Sequence, residues 1–186
     1  INPISFTGSV GVGQTIYMEA AKSMKKMQLE MGSKNPLVVM DDADLEIAVA
    51  CATNGAYGGT GQKCTASSRL IVHEKVYKEF IEKLIENIRA LKVGHALEEG
   101  SQMGPVSSET QLQSNLDYVE IGKKESKLAY GGNPMNMRTP GYYMEPTLFI
   151  DGNNKTTINQ EEMFGPIACV IPVKSYEEGL EVANDT

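Results

Sequence analysis

Short apolar runs alternate with longer stretches of helical periodicity from one end of the chain to the other. Residues 4–7 (ISFT), 37–40 (LVVM), 69–74 (RLIVHE), 127–132 (KLAYGG), 141–150 (GYYMEPTLFI) and 168–174 (ACVIPVK) read as strands. The segments between them carry apolar residues three and four apart, as helices do. Ile16, Ala20, Met24 and Met27 predict a helix over about residues 12–28. Leu45, Ala48, Val49 and Ala52 predict a second, capped by the acids Asp41, Asp42 and Asp44 and ended by Gly58, Gly59 and Gly61. Phe80, Leu84, Ile88 and Leu91 form one stripe of a helix from Val76 to Leu91, with charged residues opposite. Further helices are expected over about 109–124 and through SYEEGLEVAND. Strands that alternate with helices specify an α/β fold with parallel strands, because parallel neighbours need crossover connections.

The chain has 186 residues, enough for one full core and a fraction of another. Its formal net charge of -7 argues against nucleic acid and anionic membranes as partners, since both select basic surfaces. No apolar run reaches the ~18 residues of a membrane-spanning helix. The first residue is not Met, and the chain enters a strand almost at once, which suggests a piece of a longer protein. Cysteines at 51, 64 and 169 form no close pair and leave one over, which suits a reducing compartment such as the cytoplasm. Cys51 and Cys169 lie among apolar neighbours and read as small hydrophobes. The histidines, His73 and His95, read as surface residues. No grouping has metal-ligand spacing, so no metal is expected.

Four stretches carry chemistry. In FTGSVGVG (6–13), a strand ends in glycines that open a helix, which presents free backbone N–H groups to an anion. The spacing matches neither a Walker A loop nor the usual dinucleotide fingerprint. In LEMGSKNP (29–36), read as a loop, Glu30 stands between Leu29 and Met31. A carboxylate among apolar side chains is desolvated and suited to act as a base near neutral pH. An ordinary solvated glutamate is the alternative. In GQKCTASSR (61–69), Cys64 has small polar neighbours that leave the sulfur within reach of a substrate, at a loop-to-strand or loop-to-helix junction. In QEEMFGPI (160–167), two acids precede an aromatic ring and a Gly-Pro turn. An acid there can bond a ribose hydroxyl and the ring can press on a flat ligand. Alternatively Phe164 is core and both acids are solvated.

Together these stretches resemble the aldehyde dehydrogenase superfamily. FTGS (6–9), LEMGSKNP (29–36), GQKCTASSR (61–69) and EEMFGPI (161–167) agree with the family in order and separation, and Glu30 and Cys64 stand 34 positions apart, 64 − 30. QMGPV (102–106) and GYYMEPTLF resemble its connecting segments. The resemblance covers essentially the whole chain and is closest in wording to 2-oxoglutarate semialdehyde and succinate-semialdehyde dehydrogenases.

The resemblance implies a three-layer open sheet, largely parallel, with helices on both faces. It implies that residues 1–31 end the cofactor-binding domain and that residues 32–186 form the thiol-bearing catalytic domain, truncated at its C-terminus. The implied activity is oxidation of an aldehyde, a semialdehyde by wording, to the carboxylic acid with NAD or NADP. Cys64 is the implied nucleophile, its backbone N–H and an upstream amide hold the oxyanion, and Glu30 activates the water. Gly8 and Ser9 border the pyrophosphate, Met31 and Gly32 the nicotinamide, Glu162 the nicotinamide ribose, and Phe164 the same side of the cofactor. A cytoplasmic homodimer or homotetramer is implied, with little activity in this stretch alone. The coenzyme A-dependent branch and a non-catalytic relative are the alternatives; Glu30 favours hydrolysis, and the retained thiol favours an enzyme. The family has a second glycine where Ser33 stands here. An acidic semialdehyde needs a cationic clamp, and neither Lys63 nor Arg69 can be given that role from sequence.

Overall fold

The computed structural model describes residues 2–186, and the chain divides into two units, residues 1–33 and 34–186.

In the first unit β1 (Ile4–Gly8) leads through α1 (Val10–Ala21) to β2 (Met27–Met31), which pairs parallel to β1. The register runs from Ile4 opposite Met27 to Gly8 opposite Met31. The helix is shorter than its apolar spacing predicts. Lys25 N–H bonds Ala20 C=O (3.1 Å) and Met24 N–H bonds Ala21 C=O (3.0 Å), the paired bonds of a Schellman stop. The left-handed residue of that stop is Met24, with φ 51°. Glycine usually takes this position, so nothing in the sequence marks the end of the helix. Met27 therefore begins a strand, and Glu30 lies on that strand rather than in a loop.

The second unit begins with β3 (Asn35–Val39) and α2 (Leu45–Tyr57). Asp44 caps α2 by accepting from the N–H groups of Glu46 (3.0 Å) and Ile47 (3.1 Å). A 3₁₀ turn at Gly58–Gly61 follows, then β4 (Ser67–His73), α3 (Glu74–Ala90) and α4 (Glu109–Glu125). Next come β5 (Lys127–Tyr130), β6 (Pro134–Met135), β7 (Tyr143–Met144) and β8 (Thr147–Ile150). The chain closes with α5 (Thr157–Gln160), β9 (Ile167–Val173) and α6 (Tyr176–Asn184). The stretch 141–150, read as one strand, is two: Glu145 and Pro146 separate β7 from β8.

Five strands form one sheet in the order β3-β4-β9-β8-β5, parallel except for β5, which runs antiparallel to β8. The fold is α/β with a largely parallel sheet. Its inner strands are apolar on both faces, as a sheet covered on both sides requires. Leu70, Val72, Ala168, Val170 and Leu148 point to the face covered by α2 and α3, where Val49, Ala52, Phe80, Leu84 and Ile88 meet them. Ile167, Cys169 and Phe149 point to the opposite face and pack with Val119 of α4. The Phe149 ring lies so close to Gly122 that a Cβ there would come within 2.5 Å of it.

Two residues read from sequence differ. Cys51 sits on the exposed side of α2, not its apolar side. His73 is buried at 5% exposure, and its Nδ1 accepts from the N–H of Lys75 (3.3 Å) at the start of α3. Capping a helix from the end of a central strand draws the imidazole inside. Among the described residues no helix is long and apolar enough to cross a membrane.

Candidate active site

In the first unit, strand pairing gathers four of the expected residues. Gly8 and Met31 are register partners at the C-terminal ends of two parallel strands, and Ser9 and Gly32 follow them directly. Ligands of parallel α/β sheets bind outside such strand ends. Ser9 is the residue before α1, and its side chain makes no capping bond. Nothing lies within 4 Å of where a Cβ on Gly11 would sit, whereas one on Gly13 would meet the Met31 sulfur at 2.5 Å. The first turn of α1 is thus open at Gly11 and closed at Gly13. Glu30, opposite Thr7, is exposed, with a long hydrogen bond (3.5 Å) from Gln28. Its apolar neighbours Leu29 and Met31 alternate to the other face of the strand, so they do not cover the carboxylate. Ser33 is exposed between the strands.

In the second unit, Cys64 is exposed in a turn closed by Ala66 N–H to Lys63 C=O (3.0 Å), directly before β4. The junction is therefore loop-to-strand. The turn is reached through three consecutive left-handed residues, Gly59 (φ 61°), Thr60 (φ 62°) and Gly61 (φ 65°). Such a run costs little at the glycines and more at Thr60, which is buried and donates to Gly104 C=O (3.2 Å).

Several polar side chains fasten this turn. Asn35 Nδ2 donates to Cys64 C=O (2.7 Å) and Ala66 C=O (3.3 Å). Gln62 accepts from Ser107 N–H (2.9 Å) and donates to the Ser107 hydroxyl (3.1 Å). The Cys64 segment is thereby tied to the start of β3 on one side and to the 104–107 loop on the other.

The 161–165 loop meets the same turn. A Cβ on Gly61 would fall 2.1 Å from the carbonyl oxygen of Gly165. Beneath Gly165 lies the fully buried Asn115 of α4, whose Oδ1 accepts from Gln111 (2.9 Å). Gln111 also donates to Met163 C=O (3.2 Å), and the Tyr118 hydroxyl donates to Glu161 (2.8 Å). Burial pushes the Tyr118 phenol up to about 12, and the carboxylate beside it adds to the shift. Phe164 is 39% exposed with φ 49°, so the reading of Phe164 as core fails. Met163 is the buried residue here, and Glu162 is half-buried beside it.

The structure thus brings Cys64 together with the loop of Glu162 and Phe164, and Gly8 and Ser9 together with Met31 and Gly32. Sequence reading missed Asn35, Gln62, Gln111 and Asn115. Asn35 and Gln62 stand within the motif stretches and Gln111 and Asn115 in a segment without special pattern, but all four are amides to which only their long-range partners give a role.

The family model described as Aldehyde dehydrogenase family matches residues 1–186. An alpha-ketoglutaric semialdehyde dehydrogenase of Bacillus subtilis is 45% identical over 188 residues, covering 100% of this chain and 38% of that protein. A betaine aldehyde dehydrogenase of Brucella anthropi is 39% identical over 186 residues, covering 98% of this chain and 38% of that protein. A solved 1-pyrroline-5-carboxylate dehydrogenase from Thermus with bound NAD superposes with a TM-score of 0.95 at 41% identity, over 100% of this chain and 37% of that one. The chain spans well under half the length of these relatives. A family match from end to end, with a solved relative superposing on all of it, leaves one assignment: this chain belongs to the aldehyde dehydrogenase family.

Proposed function

We propose that the chain is the thiol-bearing part of an NAD(P)+-dependent dehydrogenase that oxidises an aldehyde, a semialdehyde by kinship, to the carboxylic acid. The observation that carries this reading is the exposed Cys64 on a turn that follows three left-handed residues, the last of which, Gly61, packs against the loop of Glu162 and Phe164. A structural cysteine needs neither exposure nor a turn braced by Asn35 and Gln62; a nucleophile needs both.

Residues 1–31 are assigned to the end of the cofactor-binding domain and 32–186 to the catalytic domain, a boundary supported by the division into compact units after residue 33. The residues present suit a dinucleotide. Backbone N–H groups open α1 after Gly8 and Ser9, Gly11 leaves room for close approach, and Phe164 offers an exposed ring. Met31 and Gly32 border the nicotinamide in this reading, and Glu162 bonds its ribose. When bound, NAD(P)+ supplies the hydride acceptor.

The chain's own groups do the rest. The Cys64 thiolate adds to the aldehyde carbon, forming a C–S bond and a thiohemiacetal. Loss of hydride from that carbon leaves a thioester on Cys64. Glu30 takes a proton from the water that attacks the thioester, and its exposure leaves it reachable by that water. The C–S bond breaks, and acid and thiol are released. The three free cysteines suit a reducing compartment such as the cytoplasm, and a homo-oligomer is expected of the parent protein.

In the longer parent protein, Cys64→Ala should abolish both aldehyde oxidation and ester hydrolysis; survival of either rejects Cys64 as nucleophile. Glu30→Gln should leave the first thioester-forming turnover and slow release. Free acid as product supports hydrolysis, and acyl-coenzyme A as the main product replaces it with the acylating reaction.

A further inference from the structure

Lys63 immediately precedes the proposed nucleophile, and its side chain has an unusual course. The aliphatic stem lies over Gly59, where a Cβ would meet Lys63 Cδ at 3.5 Å and Cγ at 3.6 Å. The ammonium ends above Gly58, where a Cβ would stand 3.5 Å from Lys63 Nζ and 2.7 Å from Asn54 Oδ1. Two adjacent glycines therefore leave the groove in which this lysine lies, and any side chain at position 58 would take the place of its head group.

Gly58, under that head group, and Asn54 also line a surface pocket of about 530 Å³, and Thr53, Asn87, Leu91 and Gln102 complete most of its wall. No carboxylate lines it. Among the described residues Lys63 takes part in no ion pair, although acids outnumber bases 24 to 17 in this chain. A half-buried cation kept from so many available acids, beside a pocket of neutral amides and hydrocarbon, suits a transient anion from outside the chain. Arg69, the other candidate cation, is excluded. Its donors turn inward to Lys34 C=O, Asn154, Val182 C=O and Ala183 C=O at 2.8–3.0 Å, and it is 1% exposed.

We propose that Lys63 is a specificity-determining residue, whose ammonium above Gly58 receives the carboxylate at the far end of a short aldehyde-acid while Cys64 takes the aldehyde. The inference rests on Cys64 being the nucleophile. One extended side chain separates the ammonium from the backbone next to Cys64, a span suited to a few methylenes between the two ends of a substrate. Asn54 and Gln102 offer amide N–H donors for the second carboxylate oxygen.

The test uses the longer parent protein and two aldehydes of equal chain length, one ending in a carboxylate and one in a methyl group. The ratio of their kcat/KM values is read for wild type, Lys63→Met and Lys63→Arg. Loss of a charge-assisted hydrogen bond predicts that the ratio falls about tenfold or more in Lys63→Met. Lys63→Arg should keep most of the preference, and raising salt should lower the ratio in wild type but not in Lys63→Met. A ratio unchanged within about twofold in Lys63→Met overturns the assignment, even if both activities fall. If wild type oxidises neither aldehyde through Cys64, the proposed reaction itself fails, and this inference with it.

Discussion

Gly61 and Gly165 meet so closely that the first has no space for a side chain: a Cβ on Gly61 would lie 2.1 Å from the Gly165 carbonyl oxygen and 2.9 Å from that of Ala56. Gly61 is also left-handed, at φ 65°. This contact joins the turn of Cys64 to the loop of Glu162 and Phe164, and neither obstacle is a flexible side chain. Gly61→Ala should destabilise the protein by roughly 2 kcal/mol or more, since strain and backbone overlap add. Denaturant unfolding measures the loss, and the rate of Cys64 alkylation by iodoacetamide should change with it. An unchanged midpoint and alkylation rate would show that the two loops are not coupled.

Asn35 holds the carbonyls on both sides of the Cys64–Ala66 turn. Asn35→Ala removes two hydrogen bonds and should cost about 1 kcal/mol of stability. In the parent enzyme kcat should fall about tenfold or more with little change in KM, because the thiol loses its aim and the substrate keeps its contacts. Asn35→Asp, which cannot donate, should not restore kcat. A change confined to KM would contradict the positioning role.

Arg69 binds the last turn of α6 to the start of β3 and to Asn154 through four hydrogen bonds. Arg69→Met should cost on the order of 3 kcal/mol, because the buried carbonyls lose their partner while the stem is still filled. Lys at this position should rescue little, since one ammonium cannot reach three directions as the guanidinium does. Amide hydrogen exchange should quicken first in α6. Loss of protection spread evenly over the sheet instead would show that Arg69 does not act through α6.

Lys34 is 7% exposed, and its Nζ has no hydrogen-bond partner among the described residues. Burial pulls its pKa down to about 7. The unfolded chain therefore holds this proton more tightly than the folded one between pH 7 and the ordinary lysine value. The cost of the buried charge is felt in full below pH 7 and fades as pH rises through that window. Lys34→Met should raise the unfolding midpoint at pH 6 and keep clearly less of that advantage at pH 9. An equal effect at both values would mean that the ammonium finds a partner.

The sequence determined a good deal through local physics. Short apolar runs marked the inner strands β4 and β9, the apolar stripe marked α3, and the acids Asp41, Asp42 and Asp44 marked the start of α2. Small polar neighbours marked Cys64 as reachable, and it is exposed. Resemblance identified the family, which the comparisons establish. What local pattern could not supply is what distant segments do to one another. Met24 stops α1 in a conformation normally left to glycine, so an apolar spacing that runs on to Met27 misled the reading and put Glu30 in a loop instead of a strand. His73 looked like a surface residue because the fold that buries it is assembled from both halves of the second unit. The tightness of Gly61 against Gly165, the inward grip of Arg69 and the course of Lys63 over two glycines likewise depend on tertiary structure. The reason is that spacing along a chain encodes which face a residue occupies, whereas close contact between residues many positions apart is set only when the elements pack.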